Sequence, residues 1–394
     1  MPLILEQNKL DVVNKRRSNY FNWKGQFTPE LIEYLLACYA HDNSIVADPF
    51  SGSGTVLAEA IDKGLECVGF EVNPSAYFMS KFYEYAMCAK EERYIIYNNL
   101  DRFVESYLDN IDEDKMVYIE GTDYRKNYAN LIDFSSYVAK HIEENLMPLM
   151  INILFLCEKD KKMTLSNAIK KNMMYVQDLL FSLPYTSKSV VANLGDARNI
   201  GLNYRNKIDL IITSPPYINV FNYHQNYRGI MECFGYDILK VANSEIGSNR
   251  KHRSNRFKTV VQYAMDMGHT IYNASVALKV GGRMILIVGR ESMVRKTPFY
   301  NSMIIKDIIN ILPFLKIESI NTRQFGNRYG ELINEDIIII QKCSETINIQ
   351  VNVFEHIGLK HIANALTYAD KHLELDLRAI LNKQELILES PIFS

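Results

Sequence analysis

Residues 44–73 read SIVADPFSGSGTVLAEAIDKGLECVGFEVN, and their pattern decides the fold. An apolar run predicts a strand over 44–48, a Gly/Ser turn follows, and helical spacing predicts a helix over 55–63. A second apolar run predicts a strand over 66–71, and another helix is expected to begin near Pro74. Strand, helix and strand in this order form a βαβ unit, which favours a right-handed crossover and a parallel sheet.

The alternation of strands and helices is interrupted once. Residues 84–188 hold long helical patterns and little strand character, so we predict a helical insertion there. The alternation resumes over 189–343 and ends in a predicted antiparallel hairpin. We therefore expect four parts: 1–83 and 189–343 as the two halves of one α/β domain, 84–188 between them, and 344–394 as a mostly helical tail.

Composition and charge narrow the class of protein. The chain has 394 residues, of which 47% are hydrophobic and 23% charged, as in ordinary globular proteins. A formal net charge of −2 excludes a polycation, so any nucleic-acid binding must use local positive charge. The six cysteines form no CxxC pair or Cys/His cluster, which predicts a reducing compartment and no metal site. We expect a cytoplasmic protein, because the first residues do not resemble a secretory signal and no stretch approaches ~20 apolar residues.

The Gly-rich turn DPFSGSGT, residues 48–55, lies between the first predicted strand and helix. Gly52 and Gly54 permit a tight turn and the close approach of a ligand to the backbone at a helix N-terminus. No Lys follows these glycines, so the turn is not a Walker A loop. Glu71 ends the next strand about 20 residues on, where an acidic residue can bind ribose hydroxyls. A solvated strand-end carboxylate is the alternative for Glu71, and the nearby Gly-rich turn favours the ligand.

The segment KIDLIITSPPY, residues 207–217, ends a predicted strand with two prolines. Each proline removes a backbone donor and fixes φ, so the strand must end there. Ser214, Pro215 and Tyr217 then offer a hydroxyl, a carbonyl that no following amide needs, and an aromatic ring. These groups suit a flat ligand that carries an amino group, and a plain strand-end turn is the alternative.

Four motifs in order, DPFSGSGT, GFEVN, GDAR and TSPPY, resemble those of the amino-methylating DNA methyltransferases, which use S-adenosylmethionine (AdoMet). FTPELIEYLL, residues 27–36, looks like their additional AdoMet-binding motif. The resemblance covers roughly residues 20–83 and 189–342. It implies an α/β, Rossmann-like AdoMet-dependent methyltransferase fold, with a mostly parallel seven-stranded sheet and a terminal antiparallel hairpin, to which this chain adds the helical insertion. The AdoMet half comes before the SPPY half, unlike the order in the commonest SPPY-bearing group.

The resemblance also implies roles by position. The flipped base would be held by Ser214, Pro215, Pro216 and Tyr217. The cofactor would be bound by residues of the Gly-rich turn, of the strand ends and of the additional motif: Thr28, Asp48, Pro49, Phe50, Gly52, Gly54, Thr55, Glu71, Val72, Asn73, Asp196 and Ala197. Within this set, Glu71 would bind the ribose and Asp196 the adenine. A turn aspartate that caps the next segment is the alternative for Asp196.

The residue before the two prolines bears on the target base. In this family, Ser is typical there of enzymes that methylate N4 of cytosine, whereas Asp or Asn is more usual for N6 of adenine. Ser214 therefore favours cytosine, and base flipping is expected because the amine lies inside the duplex stack. The PC dipeptide of cytosine-C5 enzymes is absent from the chain. Methylation of adenine N6, methylation of an RNA amine on the same fold, and a binding module without activity are the alternatives.

Two segments after the TSPPY turn are candidates for contact with nucleic acid. Residues 218–236 interleave aromatic and cationic side chains, which suits stacking and phosphate contact, with core packing as an equal alternative. Residues 248–258 form the densest basic run; most such runs are only solvated, but one beside a catalytic strand suits phosphate binding. The residues predicted to bind nucleic acid are Tyr223, His224, Arg228, Arg250, Lys251, Arg253 and Arg256.

The expected partner is double-stranded DNA, with a cognate restriction or defence-system component and a homodimer as further candidates. The insertion over 84–188 either reads the target sequence or makes a dimer interface, and its composition favours neither.

Overall fold

The computed structural model describes residues 3–109, 124–160, 162–218, 223–248, 252, 254–326, 330–350, 352–382 and 386–393. The strands are β1 Ile45–Asp48, β2 Glu66–Glu71, β3 Val190–Leu194, β4 Ile208–Thr213, β5 Leu278–Gly289, β6 Ser292–Val294, β7 Thr297–Phe299, β8 Leu315–Gly326 and β9 Leu332–Lys342. The α-helices are α1 Gln7–Leu10, α2 Pro29–Tyr39, α3 Thr55–Asp62, α4 Pro74–Lys81, α5 Lys90–Leu108, α6 Tyr124–His141, α7 Met147–Lys159, α8 Leu165–Ser182, α9 Ile200–Asn203, α10 Arg228–Cys233, α11 Ile238–Ser244, α12 Lys258–Ala277, α13 Asn301–Asn310, α14 Asn352–Ala365 and α15 Glu374–Leu381. None of the helices in these ranges combines the length and the apolar character that crossing a membrane requires.

Seven strands form one sheet in the order β3-β2-β1-β4-β5-β9-β8. β1 pairs in parallel with β2 and β4, β2 pairs in parallel with β3, and β4 pairs in parallel with β5. β9 pairs antiparallel with both β5 and β8. This arrangement confirms the predicted α/β fold, with its mostly parallel seven-stranded sheet and terminal hairpin. The strand order reverses between β1 and β4, and ligands of open α/β sheets bind in the crevice at such a point.

Helices cover both faces of the sheet, because successive side chains of a strand point to opposite faces. On β9, Ile337 and Ile339 join the core on one face, while Ile338 and Ile340 join the core on the other. All four side chains are fully buried. The run of four isoleucines is therefore a strand buried on both sides. Helices α2–α8 lie on the first face, and α12–α15 lie on the second.

The predicted insertion is helical and shares the first core with the sheet. Helices α5–α8 contribute buried side chains to the same cluster as α2, α3 and the inner strands. Arg93 on α5 is 2% exposed, and its guanidinium donates to backbone carbonyls at both ends of the insertion. These carbonyls belong to Tyr85, Ala86, Cys88, Leu180, Leu183 and Pro184. Arg93 thus ties the beginning of the insertion to its end.

The tail packs on the second face as helices α14 and α15, followed by an extended segment over 386–393. Ser390 donates its amide and its hydroxyl to the carboxylate of Asp266 on α12, at 2.9 and 2.5 Å. The amide of Phe393 donates to Asp196, which follows β3. The tail therefore reaches the edge of the crevice at the carboxyl ends of the strands.

The predicted and observed boundaries of the first βαβ unit differ by at most one residue. The short hairpin of β6 and β7 was not predicted. Each of its strands has three residues, which is too short to show an alternation of apolar and polar side chains.

Candidate active site

The carboxyl ends of β1, β2 and β4 and the turn after β3 open onto one cleft. All four residues predicted to bind the base line it: Ser214, Pro215, Pro216 and Tyr217. It is also lined by ten of the residues predicted to bind the cofactor: Asp48, Pro49, Phe50, Gly52, Thr55, Glu71, Val72, Asn73, Asp196 and Ala197. A parallel sheet brings the carboxyl ends of its strands to one edge, so segments far apart in the chain meet here.

The Gly-rich turn needs both of its glycines, for different reasons. Gly52 and Gly54 have φ angles of +51° and +87°, in the left-handed region that disfavours other residues. A Cβ on Gly54 would lie 2.8 Å from the ring of Tyr83, so this glycine serves packing and does not line the cleft. A Cβ on Gly52 would meet the indole of Trp23 at 3.4 Å, on the cleft side. Gly52 is therefore the position at which a ligand can approach the backbone.

Glu71 is fixed by the turn that it faces. Its two carboxylate oxygens accept hydrogen bonds from the amides of Gly52 (2.9 Å) and Asn73 (2.8 Å). Burial raises the pKa of Glu71 to about 7, although the two amides oppose this shift. Each oxygen keeps a second lone pair, so the carboxylate can still accept from a ligand hydroxyl.

Asp48 joins the two halves of the site. Its Oδ1 accepts from the amide of Phe50 at 3.0 Å and from the hydroxyl of Thr213 at 2.6 Å. Thr213 is the last residue of β4 and the first residue of the TSPPY turn. Burial raises the pKa of Asp48 to about 7. One carboxyl group therefore holds the Gly-rich turn and the end of β4 at a fixed separation.

The TSPPY turn places its hydroxyl groups in a row. The Ser214 Oγ lies 3.4 Å from the Tyr217 Oη, which donates to the carboxylate of Glu335 at 3.0 Å. Burial, followed by the charge of Glu335, raises the pKa of Tyr217 well above its ordinary value, so the phenol stays protonated. The ring packs against Gly289, where a Cβ would lie 2.6 Å from Cε2.

The segment before α2 closes one side of the cleft, and sequence reasoning did not assign it. Trp23 is 8% exposed and stacks on Tyr223, with ring centroids 5.9 Å apart and planes 20° apart. Gln26 accepts hydrogen bonds from the Trp23 amide (2.9 Å) and the Ser53 hydroxyl (2.8 Å). Trp23 is the only tryptophan of the chain, and its position beside the Gly-rich turn depends on long-range packing, which the sequence does not display.

Asp196 is already engaged in the protein. Both of its oxygens accept from the guanidinium of Arg198, at 2.9 and 2.6 Å, and one also accepts from the amide of Phe393. It also caps the 3₁₀ turn that follows, through the Arg198 amide. The alternative reading of Asp196 as a capping turn aspartate therefore describes its contacts. Ala197 lies beside it on the cleft wall.

Thr28 does not line the cleft. It stands at the N-cap position of α2, without a side-chain capping bond. Its Oγ1 is buried and has no hydrogen-bond partner among the described residues. The neighbouring Phe27 reaches the cleft instead.

The residues predicted to bind nucleic acid fall into three groups. His224 is 1% exposed and its Nδ1 lies 2.8 Å from Glu245, so the prediction that it binds nucleic acid is wrong: burial removes it from the surface. Tyr223 lines the cleft against Trp23. Arg228 and Arg256 lie on the surface, and Arg228 pairs with Glu232 at 2.7 Å. Arg250, Lys251 and Arg253 lie outside the described residues.

The lining of the cleft fits a cationic ligand with polar groups. Carboxyl groups outnumber cations there: Asp48, Glu71, Asp196, Glu245 and Glu335 stand against Lys24. Two buried polar atoms of the cleft, Ser51 Oγ and Asn73 Nδ2, have no hydrogen-bond partner among the described residues. AdoMet, with its sulfonium, ammonium and ribose groups, matches this set.

Comparison with known proteins gives two sequence matches. Residues 4–82 match the family model for N6/N4 methyltransferases, described as DNA methylase. The chain is also 21% identical over 427 residues to the type II methyltransferase M.MjaII of Methanocaldococcus jannaschii, with 79% of this chain and 78% of that protein covered.

Solved structures give weaker similarities. A SAM-dependent methyltransferase from Methanosarcina mazei matches with a TM-score of 0.36 at 10% identity, over 79% of this chain and 98% of that one. The rRNA methyltransferase aviRa from Streptomyces viridochromogenes matches with a TM-score of 0.32 at 9% identity, over 85% and 94%. Such scores carry no argument by themselves, so the assignment rests on the sequence matches and the site. The order of the motifs, the strand order of the sheet and the match over residues 4–82 agree: the chain is similar to the AdoMet-dependent, amino-methylating DNA methyltransferases of the N4-cytosine/N6-adenine type.

Proposed function

We propose that the protein transfers a methyl group from AdoMet to the exocyclic N4 amine of a cytosine flipped out of double-stranded DNA. The observation that carries this proposal is the shared cleft, which is lined by Ser214 of the TSPPY turn and by Gly52 and Glu71 of the cofactor side. Holding the two reactants together in one orientation accelerates methyl transfer, because the reaction then becomes effectively unimolecular.

The cofactor supplies an electrophilic methyl group. Glu71 would accept from the ribose hydroxyls, and Gly52 would let the cofactor lie against the backbone. The cleft carboxyl groups would balance the positive charge of the sulfonium and ammonium groups. Asp196 would face the adenine with the orientation that Arg198 gives it.

The base side orients a poor nucleophile. The lone pair of a cytosine amine is delocalised into the ring, and hydrogen bonds from the amine to the Ser214 hydroxyl and the Pro215 carbonyl would turn that lone pair toward the methyl group. Stacking of the base on Tyr217 would add about 1–3 kcal/mol. The target amine cannot be reached inside a duplex stack, so the base must be flipped.

Ser214 supports cytosine over adenine, since Ser before the two prolines is typical of the N4-cytosine members of the family. We further propose that the protein acts in a restriction or defence setting; the M. jannaschii relative is named a type II methyltransferase. The helices of 84–188, the half-buried Arg228 and the exposed Arg256 are the candidate contacts to DNA or to a second copy of the chain.

The test is to incubate the protein with AdoMet carrying a labelled methyl group and with unmethylated duplex DNA, then digest the DNA to nucleosides and identify the labelled one by mass spectrometry. We expect N4-methylcytidine as its deoxynucleoside. Label only on N6 of deoxyadenosine would contradict the cytosine assignment and keep the mechanism. Label on RNA and none on DNA, in a parallel reaction, would contradict the DNA substrate.

A further inference from the structure

The base side of the cleft ends in a carboxylate that belongs to none of the sequence motifs. Glu335 lies on β9, opposite Gly289 of β5 and opposite Arg323 of β8. It lines the cleft, and its side chain is 13% exposed. Its position depends on the hairpin, more than 100 residues after the TSPPY turn.

The absence of a side chain at Gly289 lets Tyr217 reach Glu335. The Tyr217 ring occupies the space where a Cβ on Gly289 would lie 2.6 Å from Cε2. Because Glu335 is the cross-strand partner of Gly289, the phenol oxygen comes within 3.0 Å of its Oε1. The other oxygen, Oε2, lies 3.5 Å from the Nε of Arg323, which is 4% exposed. The carboxylate is thus oriented from both sides.

A carboxylate accepts hydrogen bonds and cannot donate them, so it sets the direction of any chain that ends on it. Tyr217 must donate to Glu335, and its lone pairs then face Ser214, 3.4 Å away. The Ser214 hydroxyl can in turn donate to Tyr217, which leaves its own lone pairs toward the cleft. An amine of a base needs acceptors at that point, not a competing donor.

We propose that Glu335 is a positioning residue for the methyl transfer: through Tyr217 it presents the Ser214 oxygen as an acceptor and receives the proton that the methylated amine releases. This proposal rests on the proposed function. The amine lone pair forms the new N–C bond, and the electron pair of the broken S–C bond stays on sulfur. The nitrogen then loses one proton to Ser214, Ser214 passes its proton to Tyr217, and Tyr217 passes its proton to Glu335. One proton leaves the amine and one carboxylate is protonated, so the step balances. Solvent at the partly exposed carboxyl then takes the proton.

The experiment compares Glu335→Gln, Glu335→Ala and the matched control Glu331→Gln, which removes one charge from an exposed position of the same hairpin. Single-turnover transfer of labelled methyl from AdoMet to unmethylated duplex DNA gives the rate. The fluorescence of Trp23, the only tryptophan and a lining residue of the cleft, gives AdoMet affinity for each variant.

We expect both Glu335 variants to lose about 10²-fold in the transfer rate, as for a lost acid–base group. AdoMet affinity should stay within about twofold, because Glu335 belongs to the base side. Added formate should restore the Glu335→Ala rate in a concentration-dependent way, while chloride at the same ionic strength should not. Glu331→Gln should transfer at the wild-type rate.

Three results would each overturn the proposal: wild-type transfer by Glu335→Gln, a loss that formate does not restore, or an equal loss of AdoMet affinity, which would make the role structural. A wild-type protein that transfers no methyl group to DNA would instead refute the proposed function, and the relay with it. If the wild-type protein methylates DNA and the variants give any of the three results, the proposed function is retained and only the proposed role of Glu335 is refuted.

Discussion

The two sides of the cleft are built in different ways. On the cofactor side, Gly52, Glu71 and Asn73 lie within 22 residues of one another, and backbone amides hold the carboxylate. On the base side, Ser214, Tyr217 and Glu335 come from two distant segments and are joined through side chains. The first side is a local product of one βαβ unit, whereas the second exists only when β4, β5 and β9 have assembled. A local sequence motif can therefore encode the cofactor side, whereas the base side requires the assembled sheet.

The largest effect is expected on the cofactor side, from Gly52→Asp. The new carboxylate would enter the cleft beside Glu71 and Asp48, in a backbone conformation with φ of +51°. AdoMet affinity should fall at least about 100-fold, or about 2.8 kcal/mol. The control is Gly64→Asp, which has a similar φ of +67° and has no described neighbour within 4 Å of the added Cβ. Calorimetric titration that returns the same affinity for Gly52→Asp and wild type would contradict the placement of the cofactor.

Ser214→Ala tests the base side. Removing the hydroxyl takes away an acceptor for the amine, and the transfer rate should fall about 10²-fold, as when one preorganised hydrogen bond is removed from an active site. AdoMet affinity should change by less than about twofold, because the cofactor contacts remain. Single-turnover kinetics and titration measure the two quantities, with Ser106→Ala on the exposed face of α5 as control. A large loss of AdoMet affinity in Ser214→Ala would contradict the claim that the cofactor side and the base side of the cleft bind their ligands independently.

Thr213→Val tests the bridge between the sides. The substitution removes the hydroxyl that donates to Asp48 at 2.6 Å and leaves a buried carboxyl with one fewer partner. The free energy of unfolding should fall by about 1–3 kcal/mol. Urea denaturation measures this free energy of unfolding. The control is Thr367→Val, at an exposed hydroxyl, which should change the free energy of unfolding by less than about 0.5 kcal/mol. Equal stability of Thr213→Val and wild type would show that the bridge does not hold the two turns together.

The smallest effect is a pH dependence confined to the cofactor side. Burial raises the pKa values of Asp48 and Glu71 to about 7, so both carboxyls bind protons in the free protein below that pH. Without cofactor, the stability that these protonated groups contribute is lost as pH rises through about 7. A cationic cofactor favours the ionised carboxylates, so AdoMet affinity should rise by up to about tenfold per carboxyl between pH 6 and pH 8. Titration should show proton release, and a smaller pH dependence for S-adenosylhomocysteine, which lacks the sulfonium charge. An affinity independent of pH in this range would contradict the shifted pKa values.

The cofactor side could be predicted almost residue by residue. Its strands, turn and helix follow one another in the chain, and the separation of Gly52 from Glu71 is itself a sequence feature. The elements of the sheet were also predictable, because runs such as 337–340 are apolar on both faces of the strand. In these stretches local preference and the tertiary fold agree, so the sequence pattern is sufficient.

The base side was only half predictable. The TSPPY turn can be recognised in the sequence by its two prolines. Glu335 lies in a hairpin, and only the register of that hairpin brings it beside Gly289 and Tyr217. Trp23 lines the cleft because the first segment packs against the Gly-rich turn. His224 was wrongly assigned to DNA, because no local sequence feature indicates its burial against Glu245. These contacts join residues far apart in the chain, and periodicity carries no information about such pairs.

The most direct test of the central claim, that both turns serve one reaction site, is a crystal structure of the protein with sinefungin, an AdoMet analogue that carries an amine where AdoMet carries its methyl sulfonium. The account predicts the ribose of the analogue at the Glu71 carboxylate and its amine directed at the Ser214 hydroxyl and the Pro215 carbonyl. An analogue bound with its amine directed away from the TSPPY turn, or bound outside this cleft, would contradict the account.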